Sequence, residues 1–178
     1  LKHAFLNSYF QTGLKSNIDE AVINHINEHG LSELSEKYTK IDEIPFDFAR
    51  RRLSVIVSDG QKTQMITKGA VEEILGISTM VDYQGNVSPI TNAIKENIKK
   101  ITKDLNKQGL RVVAVCQKNN LEKTSEFTKS KEKNMVLIGF IGFLDPPKES
   151  AKSSIEKLNK NGIRVIVLTG DNVEVTKC

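Results

Sequence analysis

Three short motifs follow one another along the chain, and two of them contain residue types suited to holding a phosphate. In Lys68-Gly69-Ala70 the lysine lies at the end of a predicted strand, where its charge can reach a phosphate or a base. A glycine beside it would let a ligand approach the backbone closely. A surface lysine followed by a turn glycine has the same pattern, so this motif alone leaves both interpretations open.

Another motif, Thr169-Gly170-Asp171-Asn172, follows the apolar run 163–168. Such a run is typical of a strand buried in a parallel sheet, and these sheets bind ligands beyond the carboxyl ends of their strands. There a threonine hydroxyl can bond a phosphate, and an aspartate can contact a metal ion or a hydroxyl. An ordinary turn between a strand and a helix is the alternative interpretation.

The segment Asp145-Pro146-Pro147-Lys148 lies between these two motifs. Each proline fixes its own φ angle, so the centre of the segment is stiff. A stiff segment suits a joint between two domains, although a simple linker has the same composition. We therefore expect a domain boundary close to Leu144.

An aromatic and basic segment, residues 44–55, precedes all three motifs. It contains two phenylalanines and three consecutive arginines, namely Phe46, Phe48, Arg50, Arg51 and Arg52. A flat nucleobase can stack on an aromatic ring while nearby cations balance its phosphates. The competing interpretation places both phenylalanines in the core and the arginines on a solvated strand edge.

The elements that position these residues are predicted from hydrophobic periodicity and turn residues. Helices are expected at about 1–11, 17–30, 34–38, 70–75, 91–108 and 149–161. Strands are expected at about 53–57, 63–67, 110–116, 136–143 and 163–168, the first two as a hairpin. Asn17 and Glu20 resemble a capping box. Two helices are expected to turn an apolar stripe to the core, formed by Ile94, Ile98, Ile101 and Leu105 in one and by Ala151, Ile155 and Leu158 in the other.

Composition and charge indicate a folded protein that favours anionic ligands. Of 178 residues, 38% are hydrophobic and 27% charged, which argues against a disordered chain. The net charge is +4, which favours ligands such as nucleotides without requiring a nucleic acid. The longest apolar stretch, residues 135–144, is shorter than the roughly 20 residues that span a bilayer. Because the chain starts at Leu1, we expect it to be a piece of a larger protein.

Several other kinds of site are disfavoured. The cysteines, Cys116 and Cys178, are too few for a disulfide framework, and Cys116 lies in an apolar run typical of a buried strand. The chain has neither a Walker-type phosphate loop nor a dinucleotide fingerprint. His25 and His29 share a predicted helix face, but with only His3 besides them we expect no metal site.

Taken in order, these motifs resemble those of the P-type cation pumps, in the nucleotide-binding domain and the start of the phosphorylation domain that follows it. The segments 6–15, 40–48 and 109–115 are similar to bacterial magnesium-importing members of that family. The resemblance implies an α+β fold with a mainly antiparallel sheet flanked by helices and a C-terminal α/β fragment. It implies a nucleotide-binding domain at 1–144 and a hinge with part of a phosphorylation domain at 145–178.

The resemblance also implies roles for residues of the larger domain. Phe46 falls at the position that stacks on adenine, and Lys68, with Gly69 beside it, lines the adenine pocket. Arg51 and Arg111 fall at basic positions near the phosphates. Asp19 falls at an acidic position that meets the adenine amino group.

The remaining motifs belong, by the same resemblance, to phosphoryl transfer. Asp145 and Lys148 fall at the hinge between the domains. Thr169, Gly170 and Asp171 fall in the phosphoryl-transfer site. The family's phosphorylated aspartate lies in an Asp-Lys-Thr-Gly-Thr motif, which this chain does not contain. The resemblance therefore implies a chain that binds ATP with Mg²⁺ but does not turn it over.

The implied partners are ATP and the rest of the same polypeptide, its phosphorylation, actuator and transmembrane domains. The implied location is the cytoplasmic side of a cell membrane, and no nucleic-acid partner is expected. Two alternatives stay open from the residues alone. One is a stand-alone phosphohydrolase. The other is a basic interaction or RNA-binding module, which Arg50, Arg51 and Arg52 alone support.

Overall fold

The computed structural model describes residues 1–13, 15–29, 32–121, 126–144 and 149–166. The strands are β1 (Thr39–Asp47), β2 (Arg52–Ser58), β3 (Thr63–Ala70), β4 (Ser78–Tyr83), β5 (Asn86–Pro89), β6 (Leu110–Lys118) and β7 (Met135–Leu144). The helices are α1 (Lys2–Phe10), α2 (Asn17–Glu28), α3 (Val71–Ile77), α4 (Asn92–Lys107) and α5 (Glu149–Lys160). Two 3₁₀ turns lie at Ser32–Leu34 and Lys129–Lys131.

The seven strands form one sheet in the order β1-β2-β3-β6-β7-β4-β5. Neighbouring strands are antiparallel except β4 and β7, which pair in parallel, so the sheet is mixed. The predicted hairpin is confirmed as β2 and β3. The α+β fold with a mainly antiparallel sheet flanked by helices is also confirmed.

Helices cover both faces of the sheet because side chains alternate along each strand. In β2, Val55 and Val57 face a cluster that includes Phe5 of α1 and Ile26 of α2. Ile56, between them, faces the opposite cluster. That second cluster contains Met65, Ile74, Ile98, Cys116, Met135 and Leu137, and α3 and α4 contribute to it. Two apolar cores therefore hold the sheet in place.

The start of α2 differs by one residue from the predicted capping box. Ser16, rather than Asn17, is the N-cap, and Asp19 takes the role expected of Glu20. The Ser16 backbone N–H donates to the Asp19 carboxylate at 2.9 Å, and the Asp19 N–H donates to the Ser16 hydroxyl at 3.4 Å. Both spacings fit the capping pattern, and the serine satisfies it here because its hydroxyl reaches the third backbone N–H.

The buried stripe of α4 follows a different path from the predicted one. Ile98, Thr102 and Asn106 are buried, whereas Ile101 is 48% exposed. These three residues are spaced by four, so together they lie along one face of the helix. The prediction placed Ile101 on this stripe because it is apolar, and there it was wrong.

Three strands were absent from the predicted elements, namely β1, β4 and β5. The predicted helix at 34–38 is instead a 3₁₀ turn at Ser32–Leu34, followed by β1 from Thr39. β1 and β5 are the two edges of the sheet, where only one side of a strand is paired. Edge strands carry more polar residues, which hides the hydrophobic signal of a strand.

The C-terminal part of the described chain contains one helix, α5, as predicted. None of its residues is buried, so the inward orientation expected for Ile155 and Leu158 is wrong. Residues 163–166, predicted to begin a strand, form none. A buried parallel strand needs a partner strand, and no described residue pairs with this segment.

Cys116 is buried in β6 as predicted, and burial raises the pKa of its thiol to about 12. The thiol is therefore neutral at ordinary pH, which fits a packing role. Among the described helices, none combines the length and the apolar composition required to cross a bilayer.

Candidate functional site

Strand register brings five of the six predicted site residues that the structure describes to one end of the sheet. Asp47 on β1 pairs with Arg52 on β2, Arg52 pairs with Gly69 on β3, and Gly69 pairs with Ala114 on β6. This row crosses four strands. Phe46, Arg51 and Lys68 are the immediate chain neighbours of three residues in the row, and Arg111 lies three residues before the fourth. Segments far apart in sequence therefore meet at this edge.

Lys68 lies on the face of the sheet that α1 and α2 cover, and its side chain is 10% exposed. Its ammonium donates to the Ser8 hydroxyl at 2.6 Å and to the carboxylate of Asp19, whose side chain is 6% exposed. Two of its three N–H groups are directed at these partners. Lys68 is therefore a held cation rather than a mobile surface lysine.

Asp19 is the counter-ion of Lys68 and also a capping residue. Its second carboxylate oxygen accepts the backbone N–H and the hydroxyl of Ser16, at 2.9 and 2.7 Å. Burial alone would raise the pKa of Asp19, but the positive charge of Lys68 and the hydrogen bonds from Lys68 and Ser16 lower it to about 2. The predicted contact with an adenine amino group stays a prediction, and the geometry adds a second role.

The pair makes a testable contribution to acid stability. The pKa of Asp19 is about 2 in the folded state and about 3.9 in the unfolded state. Its ionised carboxylate therefore contributes its full share of the folding stability at pH values above about 3.9. The contribution is then lost as pH falls toward the folded pKa. We expect the urea concentration at the unfolding midpoint to decrease as the pH is lowered from about 4 to about 2. The decrease should be less steep in Asp19→Asn.

Urea titrations at several pH values check this expectation. Asp104→Asn is the matched control, because Asp104 is exposed on α4 and pairs only loosely with Lys107, at 3.8 Å. In this control, the urea midpoint should change with pH as steeply as it does in the unmodified chain. A slope in Asp19→Asn equal to that of the control would contradict the assignment.

Gly69 also has a packing role, which was not predicted from the sequence. A Cβ at this position would lie 2.5 Å from the Arg51 carbonyl oxygen and 2.6 Å from the Arg52 Cβ. The structure therefore shows a close approach between β3 and the turn before β2, while the approach of a ligand to this backbone stays a prediction. The Ala70 N–H donates to the same Arg51 oxygen at 3.0 Å, which fixes that approach.

The three consecutive arginines face different partners. Arg51 has a positive φ of 44° and pairs with Glu73 on α3 at 2.7 Å, and its side chain is 55% exposed. Arg50 and Arg52 turn inward and share the buried carboxylate of Glu132. Of the three, Arg51 alone has a largely exposed side chain, so the arginine run does not form a continuous basic surface.

The two phenylalanines of the same segment are exposed rather than part of the core. Phe46 is 51% exposed and Phe48 90% exposed. Their rings meet edge to face with centroids 5.3 Å apart. An exposed aromatic pair beside cations is the arrangement that a stacked base requires. The interpretation of these residues as core is therefore wrong.

Arg111 lies on β6 opposite Phe143 of β7 and is half-buried. The predicted site residues Asp145, Thr169, Gly170 and Asp171 lie outside the described residues, as does Lys148. Their roles stay predictions.

Within the described part of the chain, one group of three side chains could reach a common metal ion. It consists of His25, Glu28 and His29, all exposed on α2, with ligand atoms within 4.8 Å of one another. The sequence had indicated the histidine pair but not the glutamate. This group lies toward the C-terminal end of α2, whereas Asp19 lies in the first turn of that helix.

Three residues that contact the site were not predicted, namely Ser8, Glu73 and Glu132. Each is held to its partner across 22 to 82 positions of sequence. A local pattern carries no signal for such contacts. The sequence did carry a signal for the second role of Asp19, because the Ser16-x-x-Asp19 spacing identifies it as a capping residue.

Comparison with known proteins decides the family. A family model described as P-type ATPase, cytoplasmic domain N, matches residues 10–150. The chain belongs to the P-type ATPase family. A magnesium-transporting P-type ATPase from Salmonella typhimurium is 44% identical over 170 residues, which is 95% of this chain. One from Escherichia coli K12 is 42% identical over 173 residues. A calcium-transporting ATPase from Listeria monocytogenes is 32% identical over 146 residues.

This P-type ATPase domain spans about a fifth of each magnesium-transporting relative, 19% of the length in both cases. The predicted resemblance to the family, and to its magnesium-transporting members, is confirmed. In those relatives the domain is part of a longer polypeptide.

Proposed function

We propose that this chain binds ATP, as Mg-ATP, at the end of the sheet formed by β1, β2, β3 and β6. There it would deliver the γ-phosphate to an aspartate elsewhere in the same polypeptide. The observation that carries this proposal is the exposed Phe46–Phe48 pair at the same end of the sheet as the held, nearly buried Lys68. An aromatic surface and a fixed cation fit a base and its phosphates, and the domain N family supports the same ligand.

The chain's own side chains would divide the binding. Phe46 would stack on adenine, and Lys68 would offer its remaining N–H to the nucleotide. Arg51, with an exposed guanidinium, and Arg111, at the start of β6, would lie toward the phosphates. Mg²⁺ would arrive with ATP and neutralise part of the phosphate charge.

The expected affinity is modest. A stacked ring contributes roughly 1–3 kcal/mol, and a charged hydrogen bond roughly 1.5–3 kcal/mol. After ordering costs, about −4 to −6 kcal/mol would remain, which corresponds to millimolar to tens-of-micromolar dissociation constants. Such weak binding suits a domain that must release its nucleotide after delivery.

The chain alone would not hydrolyse ATP, because its sequence lacks the Asp-Lys-Thr-Gly-Thr motif that holds the phosphate acceptor. In the whole protein, the phosphorylation, actuator and transmembrane domains would complete the cycle. Transport of Mg²⁺ across the cell membrane is the activity that the named relatives support, with this domain on the cytoplasmic side. No described side chain favours a stand-alone phosphohydrolase.

Replacing Phe46 by alanine is expected to weaken ATP binding by about 5- to 100-fold, the equivalent of roughly 1–3 kcal/mol of stacking. Two-dimensional NMR titrations with ATP, AMP and GTP measure this. Saturable shifts should centre on Phe46 and Lys68 and should be larger for the adenine nucleotides. Because half of the Phe46 side chain is exposed, the fold should persist in the variant.

The control is Tyr83→Ala, which removes another exposed aromatic ring. Tyr83 lies on β4, next to the edge strand β5 and far from β1 in the strand order. Its affinity for ATP should equal that of the unmodified chain. Unshifted spectra of the unmodified chain at millimolar ATP would contradict the proposed function itself.

A further inference from the structure

Glu132 is a buried carboxylate in the connection between β6 and β7, just after the 3₁₀ turn Lys129–Lys131. Arg50 Nη1 donates to both of its oxygens, at 2.8 and 2.7 Å. Arg52 Nε donates at 2.8 Å, and the Ser54 hydroxyl donates at 2.6 Å. One nitrogen of Arg50 therefore reaches both oxygens of Glu132, and Arg52 and Ser54 each donate to one of them, so both oxygens have charged or hydroxyl donors.

The same connection contacts the chain on the other side of the arginine segment. Lys129 Nζ lies 2.7 Å from the Asp47 carboxylate, which also accepts from Arg50 Nε at 3.2 Å. Arg50 Nη2 donates to the Pro45 carbonyl oxygen at 2.7 Å. The end of β1 and the start of β2 are therefore both attached to one loop about 80 residues away in sequence.

The ionisation of Glu132 fits this arrangement. Burial alone would raise its pKa, but hydrogen bonds from Ser54, Arg50 and Arg52 outweigh burial and lower it. The carboxylate thus stays charged and keeps both guanidiniums turned inward. Neither arginine is then available to the solvent side of the turn.

Other side chains in and beside the β1–β2 turn are exposed to solvent. Phe46 at the end of β1 and Phe48 and Arg51 in the turn are exposed, while Arg50 and Arg52, on either side of Arg51, are held by Glu132. The positive φ of Arg51 shows that the turn has a particular backbone shape. Such a shape persists when the surrounding contacts determine it.

We propose that Glu132 is a positioning residue for nucleotide binding. By holding Arg50 and Arg52 it sets the shape of the β1–β2 turn, so that the aromatic pair and Arg51 are already arranged for a ligand. This inference rests on the proposed function of the chain. A preorganised turn avoids the ordering cost that a loose turn would add to each binding event.

The test compares nucleotide affinity with stability in matched variants. Glu132→Gln keeps the size of the side chain but loses the charge that holds both guanidiniums. We expect its dissociation constant for ATP to rise about tenfold or more, with NMR shifts of the two cores preserved. Ile98→Ala, a core substitution on α4 outside the network, controls for lost stability. Its affinity should stay within about twofold of the unmodified chain.

Arg50→Lys serves as a second variant if Glu132→Gln does not fold. It keeps the positive charge but loses the hydrogen bonds of the guanidinium to both Glu132 oxygens and to the Pro45 carbonyl oxygen. This variant too should weaken ATP binding. Unchanged affinity in a folded Glu132→Gln or Arg50→Lys, when the unmodified chain binds ATP, would overturn the positioning role alone. A failure of the unmodified chain to bind ATP would overturn the proposed function and this role together.

Discussion

Replacing Gly69 by alanine is expected to lower the free energy of unfolding by about 3 kcal/mol, the upper end for overpacking. The added Cβ would lie 2.5 Å from the Arg51 carbonyl oxygen and 2.6 Å from the Arg52 Cβ. Both atoms belong to or adjoin the backbone at the β2–β3 ladder, so they cannot move aside as a flexible side chain would. Urea or thermal unfolding measures the loss.

Gly76→Ala is the matched control for this substitution. Gly76 lies in α3, and a Cβ there would meet nothing within 4 Å. Alanine in a helix is favoured over glycine by roughly 0.5–1 kcal/mol, so this variant should be as stable as the unmodified chain or slightly more stable. Equal stability of Gly69→Ala and Gly76→Ala would show that the β2–β3 contact can relax. The explanation given for Gly69 would then be wrong.

Replacing Lys68 by methionine is expected to be the most damaging change, lowering the free energy of unfolding by about 3–5 kcal/mol. The substitution leaves the buried Asp19 carboxylate, in the first turn of α2, without its counter-ion. Removing one partner of a buried pair costs more than removing both. Chemical denaturation at neutral pH measures the loss, and ATP titration measures the loss of binding.

The double variant Asp19→Asn with Lys68→Met separates the two effects. With no charge left in the pocket, much of the lost stability should return, while ATP binding should stay weak because the cation is absent. The coupling free energy comes from the double-mutant cycle. Stability losses that simply add would contradict the assignment of the two residues as a buried ion pair.

Local sequence pattern predicted those elements whose hydrophobic signal is strong. The β2–β3 hairpin, α1, α2, α4, β6 and β7 were all expected, since each has an apolar face or a clear turn. Edge strand β1 was missed because Lys40, Asp42, Glu43 and Pro45 interrupt its apolar alternation. β4 and β5 are short and partly exposed, so their signal is equally weak.

The candidate site shows the same division. The aromatic pair and Lys68 were identified as candidates from residue type and motif, and their role in binding stays a prediction. The sequence did not reveal that Arg50 and Arg52 turn inward while Arg51 turns out. Three adjacent arginines look alike in sequence, and a carboxylate some 80 residues later decides which of them are held.

The sequence by itself determined the family, the order of its motifs and the types of most elements, because these depend on residues close together in the chain. Tertiary structure alone decided the partners. It placed Asp19 against Lys68, Glu132 beneath the arginines, and the Arg51 backbone against Gly69. These contacts join segments 18 to 82 residues apart, where burial and geometry select a partner that no local pattern specifies.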